Sequence, residues 1–303
     1  MSAGRYAPSP TGDLHVGNLR TAMLAWLYAR STGRRFLMRM EDLDDNACRE
    51  LGTGQLADLA ALGIDWDGDV VYQSERLDRY DHHIDRMVQA ELTYPCYCSR
   101  REVREAASAP HGDPMPDGAY PGTCRSLSAD QRRAREDAGR APALRLRAQV
   151  DAMDFVDDQC GLTRAAVDDF VIRRRDGVPA YNLVVVVDDA EMGIDQVVRG
   201  DDLLHSTPRH LHLADLLGFD HASYAHVPLA VNAEGVRLAK RDGAVTLTEL
   251  AEKGLDANRM RSLMAASLGL AGPDEPLTMA DLLGRFDPRR LPRDPWVFTD
   301  PNR

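Results

Sequence analysis

No stretch of the 303 residues is apolar for long enough to span a bilayer, and residues 1–8 hold an arginine and turn formers where a secretory leader would be basic and then apolar. A cytoplasmic location without membrane contact is expected. Positive charge is in short supply: 37 Lys and Arg stand against 48 Asp and Glu, a net charge of -11. That balance excludes indiscriminate binding to nucleic acid but is compatible with a basic patch on an acidic body. Cysteine is sparse. Five thiols, an odd number, argue against a disulfide framework and leave metal ligation or free thiols. Internal repeats and low-complexity tracts are absent. With 44% hydrophobic and 28% charged residues, the composition is that of a soluble globular protein, long enough for one large domain with an insertion or about two domains.

The densest local signal lies in residues 5–18. It sets Pro8, Pro10, Gly12 and Gly17 around Arg5 and His15, ahead of Leu19, Ala22, Met23, Trp26 and Leu27 at helical spacing. A strand feeding a helix through a tight turn is expected. Amides at such a helix start favour anions, and Gly17 would let a phosphate approach the backbone. His15 can add a donor to a phosphate whose charge grows during reaction, although a solvated turn histidine fits this stretch alone equally well.

Residues 36–40 read as a strand ending in the acidic cluster Glu41-Asp42-Leu43-Asp44-Asp45. Ligands of open α/β sheets sit at the carboxyl ends of strands, so Glu41 is placed to meet a cationic group such as an ammonium. Helices are expected over 51–62, closed by Gly63, and over 78–92. The character then changes. Cys96-Tyr97-Cys98, an Arg/Glu-rich segment, a Pro/Gly-rich loop over 110–122 and Cys124 supply three thiolates that can close a tetrahedral zinc site with a fourth ligand, for which Tyr120 and His111 are the candidates. Arg132, Arg133, Arg135, Arg140, Arg145 and Arg147 make this region locally basic, as a solvated face or a place to meet phosphates.

Leu183-Val184-Val185-Val186-Val187 is an apolar run suited to a buried strand. A second strand–helix unit follows from Gln196, with Thr207 as N-cap, Pro208 at the first helical position and Gly218 at the end. Arg199, at the end of its strand like Glu41, can meet a carboxylate in bidentate fashion or pair structurally with Asp201 or Asp202. Residues 226–231 read as a strand, 232–235 as a turn, and 237–244 as a basic, glycine-flanked loop suited to a triphosphate. Helices are expected over 261–270 and 279–286.

These blocks together resemble a known family. Residues 5–12 with His15-Val16-Gly17-Asn18 are similar to the first signature of class I glutamyl-tRNA synthetases, and Arg237-Leu238-Ala239-Lys240-Arg241 to a degenerate form of the second. Residues 38–42, 180–183 and 198–202 resemble further blocks of the family in the same order. The short tail after residue 243, without the large anticodon-binding module of full synthetases, and the Cys96-x-Cys98…Tyr120-x3-Cys124 pattern resemble the truncated relatives called glutamyl-queuosine tRNA(Asp) synthetases.

That resemblance implies an α/β fold: a Rossmann-like parallel sheet with a zinc-containing insertion and a helical C-terminal region. Its expected divisions are 1–95 and 181–243 for the two catalytic halves, 96–180 for the insertion and 244–303 for the helical end. It implies activation of L-glutamate by ATP with Mg2+, and transfer of the glutamyl group to the cyclopentenediol of queuosine in the anticodon of tRNA(Asp), by a monomer. Arg5, Ala7, Ser9, Glu41, Tyr181 and Arg199 would form the glutamate pocket; His15, Gly17, Asn18 and Lys240 would meet ATP, with His15 and Lys240 catalytic. Cys96, Cys98, Tyr120 and Cys124 would hold one structural Zn2+, which favours Tyr120 over His111. Asn18 replaces the second histidine of the first signature, and Arg237 and Ala239 replace a lysine and a serine of the second.

Other readings keep part of the pattern. A nucleotidyltransferase would use His15 and Lys240 but leave the glutamate-type blocks unexplained, a non-catalytic RNA-binding protein would need neither residue, and a short synthetase charging a tRNA 3′ end would use them all.

Overall fold

Apolar strand segments alternating with apolar helix stripes call for a sheet covered on both faces. In the computed structural model, which describes residues 2–107, 119–238, 245–272 and 274–299, the chain begins with β1 (Ala3–Tyr6), α1 (Val16–Ser31), β2 (Arg35–Met40), α2 (Arg49–Ala61), β3 (Val71–Tyr72) and α3 (Leu77–Gln89). It continues through β4 (Thr93–Cys96), α4 (Arg100–Ala107), α5 (Ala129–Asp137), β5 (Ala143–Leu146), β6 (Ala152–Asp157), β7 (Gly161–Ala166) and β8 (Val171–Arg173). Then come α6 (Tyr181–Glu191), β9 (Ile194–Gly200), α7 (Thr207–Leu217), β10 (Ser223–Val227), β11 (Ala230–Val231), α8 (Leu247–Glu252), α9 (Ala257–Ser267), α10 (Met279–Arg285) and β12 (Trp296–Val297).

The main sheet runs in the order β3-β2-β1-β9-β10-β6-β7, parallel except for the β6–β7 hairpin. Strand order reverses at β1, where β2 lies on one side and β9 on the other, and such a switch point opens a crevice at the carboxyl ends of the strands. β4, β5 and β8 form a separate antiparallel sheet beside it. Residues 152–166, within the stretch expected as an insertion, are thus strands of the main sheet.

α1 is buried on nearly every side: Leu19, Ala22, Met23 and Leu27 are fully covered, between the sheet and the C-terminal helices that supply Met260, Met264 and Leu282. Gly63 and Gly218 end their helices at φ of 80° and 74°, the left-handed conformation that a side chain disfavours. No helix among the described residues is long and apolar enough to cross a membrane.

Three expectations are corrected. Leu183–Val187 is helical, inside α6, and not a strand. Valine favours strands, but here α6 is packed against α3, α7, β8 and β9 and all five side chains are buried, so tertiary packing overrides the propensity. The single strand expected over 226–231 is two, β10 and β11, separated by Pro228, which has no amide hydrogen for a ladder and whose carbonyl accepts from Arg20 Nη1 at 2.7 Å. Thr207 is the first residue of α7 and not its N-cap, with Pro208 after it; its hydroxyl is engaged elsewhere.

Candidate active site

The crevice at the β1–β9 switch point is a cavity of 560 Å³. Arg5, Ala7, Ser9, His15, Gly17, Asn18, Glu41, Tyr181 and Arg199, scattered over nearly two hundred positions, all line it. Lys240 and Ala239 lie outside the described residues, while Arg237 at the near end of that loop lines the cavity and pairs with Asp202 at 2.7 Å.

His15 is the N-cap of α1. Its Nδ1 accepts from the Asn18 amide at 3.3 Å, and Asn18 Oδ1 accepts from the His15 amide at 3.2 Å, a reciprocal capping box. An accepting Nδ1 carries no proton, so the hydrogen sits on Nε2. Burial, helped by the Arg237 charge, lowers the His15 pKa to about 4, and the ring is neutral near pH 7. Gly17 has a use that its sequence did not suggest: a Cβ there would lie 2.9 Å from His15 Cε1 and 3.0 Å from Nδ1, so the glycine makes room for the imidazole. The Val16 amide donates to Val245 O at 2.8 Å, bracing the turn against the C-terminal segment.

On the floor, the guanidinium of Arg5 spans Asp189, with Nε to Oδ1 at 3.3 Å and Nη2 to Oδ2 at 3.4 Å. Arg39, wholly buried, joins the same carboxylate at 2.7 Å and reaches Glu41 at 3.1 Å and Asp188 at 3.6 Å. Burial alone would raise the Asp189 carboxyl, but the Arg5 and Arg39 charges outweigh it and hold the pKa at about 2. For Glu41 burial wins over the pull of Arg39 and Arg5, and its pKa is raised. Glu41 Oε1 accepts from Arg39, and the side chain borders the cavity.

Arg199 is mounted differently. It has no carboxylate partner among the described residues, so the expected alternative pairing with Asp201 or Asp202 does not occur. Its Nε donates to His226 Nε2 at 3.0 Å, Nη1 contacts His210 Nδ1 at 3.2 Å, and Nη2 donates to Thr207 Oγ1 at 2.9 Å and Leu203 O at 3.2 Å. Burial lowers the pKa of both histidines, His226 despite Asp157 and His210 with the Arg199 charge adding to the effect. A buried guanidinium held by neutral acceptors keeps its charge for a ligand.

The sequence reading missed Arg39, Asp188, Asp189, Asp157, His210 and His226. For Asp188 and Asp189 there was a signal, two acids closing an apolar run; for Asp157 and His226, sixty-nine positions apart, there was none.

Cys96, Cys98 and Cys124 bring their sulfurs within 4.8 Å of one another, with Cys98 and Cys124 at 3.5 Å. Tyr120 Oη stands 3.3 Å from Cys96 Sγ and 3.7 Å from Cys98 Sγ. Zn–S bonds of about 2.3 Å in a tetrahedron put sulfurs about 3.8 Å apart, so this donor set fits such a cation. His111, the other candidate ligand, lies outside the described residues.

Residues 3–300 match the family of class I tRNA synthetases (E and Q), catalytic domain. A Glutamyl-Q tRNA(Asp) synthetase from Nocardia farcinica is 58% identical over 298 residues, which cover 98% of this chain and 93% of the relative. A Glutamate--tRNA ligase from Nitratidesulfovibrio vulgaris is 39% identical over 95% of this chain and 61% of the ligase. Among solved structures, glutamate-tRNA synthetase from Elizabethkingia anophelis superposes with a TM-score of 0.82 at 26% identity, covering 99% of this chain and 68% of that one. The chain is a ligase that belongs to the catalytic-domain family of class I E and Q tRNA synthetases, among its glutamyl-Q tRNA(Asp) synthetase members.

Proposed function

We propose that this enzyme activates L-glutamate with ATP and passes the glutamyl group to a hydroxyl of the queuosine cyclopentenediol in the anticodon of tRNA(Asp). The observation that carries the reading is the meeting in one cavity of a charge-available arginine, Arg199, a carboxylate, Glu41, and a neutral histidine at the start of α1, His15. The names of the near-full-length relatives point the same way.

In this reading Glu41 accepts from the substrate ammonium. Arg5 and Arg199 meet its carboxylates, Tyr181 and Ser9 orient it, and Ala7 leaves it room. A glutamate carboxylate oxygen attacks the α-phosphorus of ATP; the new P–O bond forms as the bond to pyrophosphate breaks. His15 donates through Nε2 to the phosphate oxygens as charge builds, Asn18 offers its side-chain Nδ2, the Gly17 turn seats the nucleotide, and Lys240 meets the departing pyrophosphate. Mg2+ accompanies ATP and spreads the triphosphate charge. The diol hydroxyl then attacks the acyl carbon and AMP leaves. Chemistry of this kind is electrostatic, with no covalent enzyme intermediate.

Cys96, Cys98, Tyr120 and Cys124 would hold one structural zinc, which would pin the loop after β4 to the end of that strand. Segments 1–95 and 181–243 act as catalytic halves around the 96–180 insertion, whose β6–β7 hairpin joins their sheet, with 244–303 as a helical brace, in a monomer.

The test is incubation with labelled glutamate, ATP and total tRNA from a queuosine-containing source, then identification of the labelled nucleotide, alongside glutamate-dependent pyrophosphate exchange without tRNA. Label on queuosine with RNA-free exchange is the expected result. Label on the terminal adenosine would support a short glutamate–tRNA ligase, the reading favoured by the 39% identical ligase; no exchange and no label would sink both.

A further inference from the structure

A second concavity, a cleft of 700 Å³, lies between the Cys96–Cys98 turn, the β5–β8 sheet and the start of α6. Its lining holds Arg100, Arg104, Arg145, Arg174 and Arg175 against one carboxylate, Asp176. On a chain of net charge -11 this is a local reversal of sign.

Four of the five arginines here differ in pairing from Arg174 and from the arginines around the cleft. Arg101 reaches Glu105 at 3.6 Å, Arg140 reaches Glu102 at 3.0 Å, and Arg174 reaches Asp176 at 2.5 Å. Arg100, Arg104, Arg145 and Arg175 have no carboxylate partner among the described residues. Arg175 spends one donor on Tyr97 O at 2.7 Å and Arg145 one on Asp169 O at 2.7 Å; both are carbonyls, which leave the charge uncancelled. Arg145 is buried, stands 3.6 Å over the Tyr120 ring, and its Nε has no hydrogen-bond partner. Arg100, Arg104 and Arg175 are exposed. A concentration of unneutralised guanidinium groups in a concave surface is a site for phosphates.

The cleft also leads somewhere. Tyr181 lines both it and the catalytic cavity, with 42% of its surface exposed, so an aromatic face stands at the junction. α6 begins beside it at Tyr181, with Ala180 as N-cap, and a helix start adds positive potential. A nucleoside that is to meet an activated acyl group must leave its stack, which bases of a single-stranded loop do at low cost and bases of a duplex do not.

We propose that this arginine-lined cleft is the channel for a single-stranded RNA loop, holding its phosphates on Arg100, Arg104 and Arg175 and passing one unstacked nucleoside over Tyr181 into the catalytic cavity. The proposal rests on the reading of the cavity as a glutamate-activating site, and its test separates the two.

The variant is Arg100→Glu, Arg104→Glu, Arg175→Glu, with Arg→Lys at the same positions as control. Three readouts are taken: glutamate-dependent pyrophosphate exchange without RNA, binding of an RNA hairpin carrying the tRNA(Asp) anticodon stem and loop, and glutamyl transfer to total tRNA from a queuosine-containing source. For the Glu variant, exchange stays within about twofold, hairpin affinity falls at least about tenfold at 0.1 M salt, and the slope of log K on log salt flattens by about 2. The Lys control keeps binding. Unchanged hairpin affinity and slope in the Glu variant, with exchange intact, overturn the channel and leave the glutamate reading standing; a fully paired RNA that binds as tightly as the hairpin and weakens equally overturns it too. Exchange absent from the unaltered enzyme strikes the glutamate reading instead. Should the triple variant fail to fold, Arg104→Glu alone, on the exposed side of α4, carries the same test with a slope change of about 0.7.

Discussion

Arg199 Nε donates to His226 Nε2 over 3.0 Å, and a guanidinium cannot accept, so the imidazole is fixed with its proton on Nδ1. That proton goes to Asp157 Oδ2 at 2.6 Å, and Asp157 also accepts from the His226 backbone amide at 3.2 Å. A three-residue chain from β6 through β10 therefore orients the one cavity arginine that has no carboxylate partner among the described residues.

Asp157→Ala removes the acceptor and leaves His226 free to change tautomer or turn. In pyrophosphate exchange, KM for glutamate should rise about tenfold while kcat changes less than about threefold. An equal rise in KM for ATP would show that the mount serves the whole cavity and not Arg199.

Gly17→Ala forces a methyl to within 3.0 Å of the His15 ring. The imidazole must shift from its present position, and with His15 in its proposed role activation should lose about ten- to hundredfold in kcat, as when an oriented donor is removed. Circular dichroism should be unaltered. Full activity would mean that His15 has no part in the chemistry.

His15, His83, His210, His212 and His226 all have lowered pKa values, burial being the first cause in each. Lowered values mean that below about pH 6.5 the unfolded chain binds protons that the folded one refuses, so stability rises with pH. For His15 the penalty grows as pH falls from about 6.5 and is complete below about 4. The melting temperature should therefore decline steadily from pH 7 to pH 4.5. A flat profile would show that these rings are solvated.

Arg39 is wholly buried among Asp188, Asp189 and Glu41. Arg39→Met leaves Glu41 without its cation, and Asp189 and Asp188 with only Arg5 and Arg76, and should cost about 3–5 kcal/mol in urea unfolding. A loss under about 1 kcal/mol would mean that water reaches the cluster freely.

Metal analysis of protein purified without chelator should find about one zinc per chain, and Cys124→Ser should lose it along with thermal stability. Tyr120→Phe tests the fourth ligand: metal retained at unchanged affinity would remove the tyrosine from the set.

Much of the cavity was legible in the sequence because its lining comes from strand ends and turns, where Pro, Gly and charged residues interrupt apolar patterns. Arg5, Glu41 and Arg199 each stand at or just past the carboxyl end of a recognisable strand. Local pattern fails where burial is total. Leu183–Val187 has no solvent-facing side to impose a period, so nothing in the run distinguishes helix from strand. It also fails for partners set by topology: Arg39 reads as a polar residue in an apolar strand, and only the fold brings Asp188 and Asp189 of α6 to it. Thr207 looked like a cap because its neighbours suit a helix start, but its hydroxyl serves Arg199.

The β6–β7 hairpin carries one more implication. Asp157 sits at the end of β6, inside the stretch that chain order assigns to the insertion, yet through His226 it orients Arg199 of the catalytic-cavity lining. An exchange of residues 96–180 between relatives would move that strut along with the metal-type cluster and the arginine cleft. The inserted segment is consequently not an independent cassette: under the proposed roles, recombination that retargets the RNA partner would also disturb how the amino acid is gripped, tying the two specificities together.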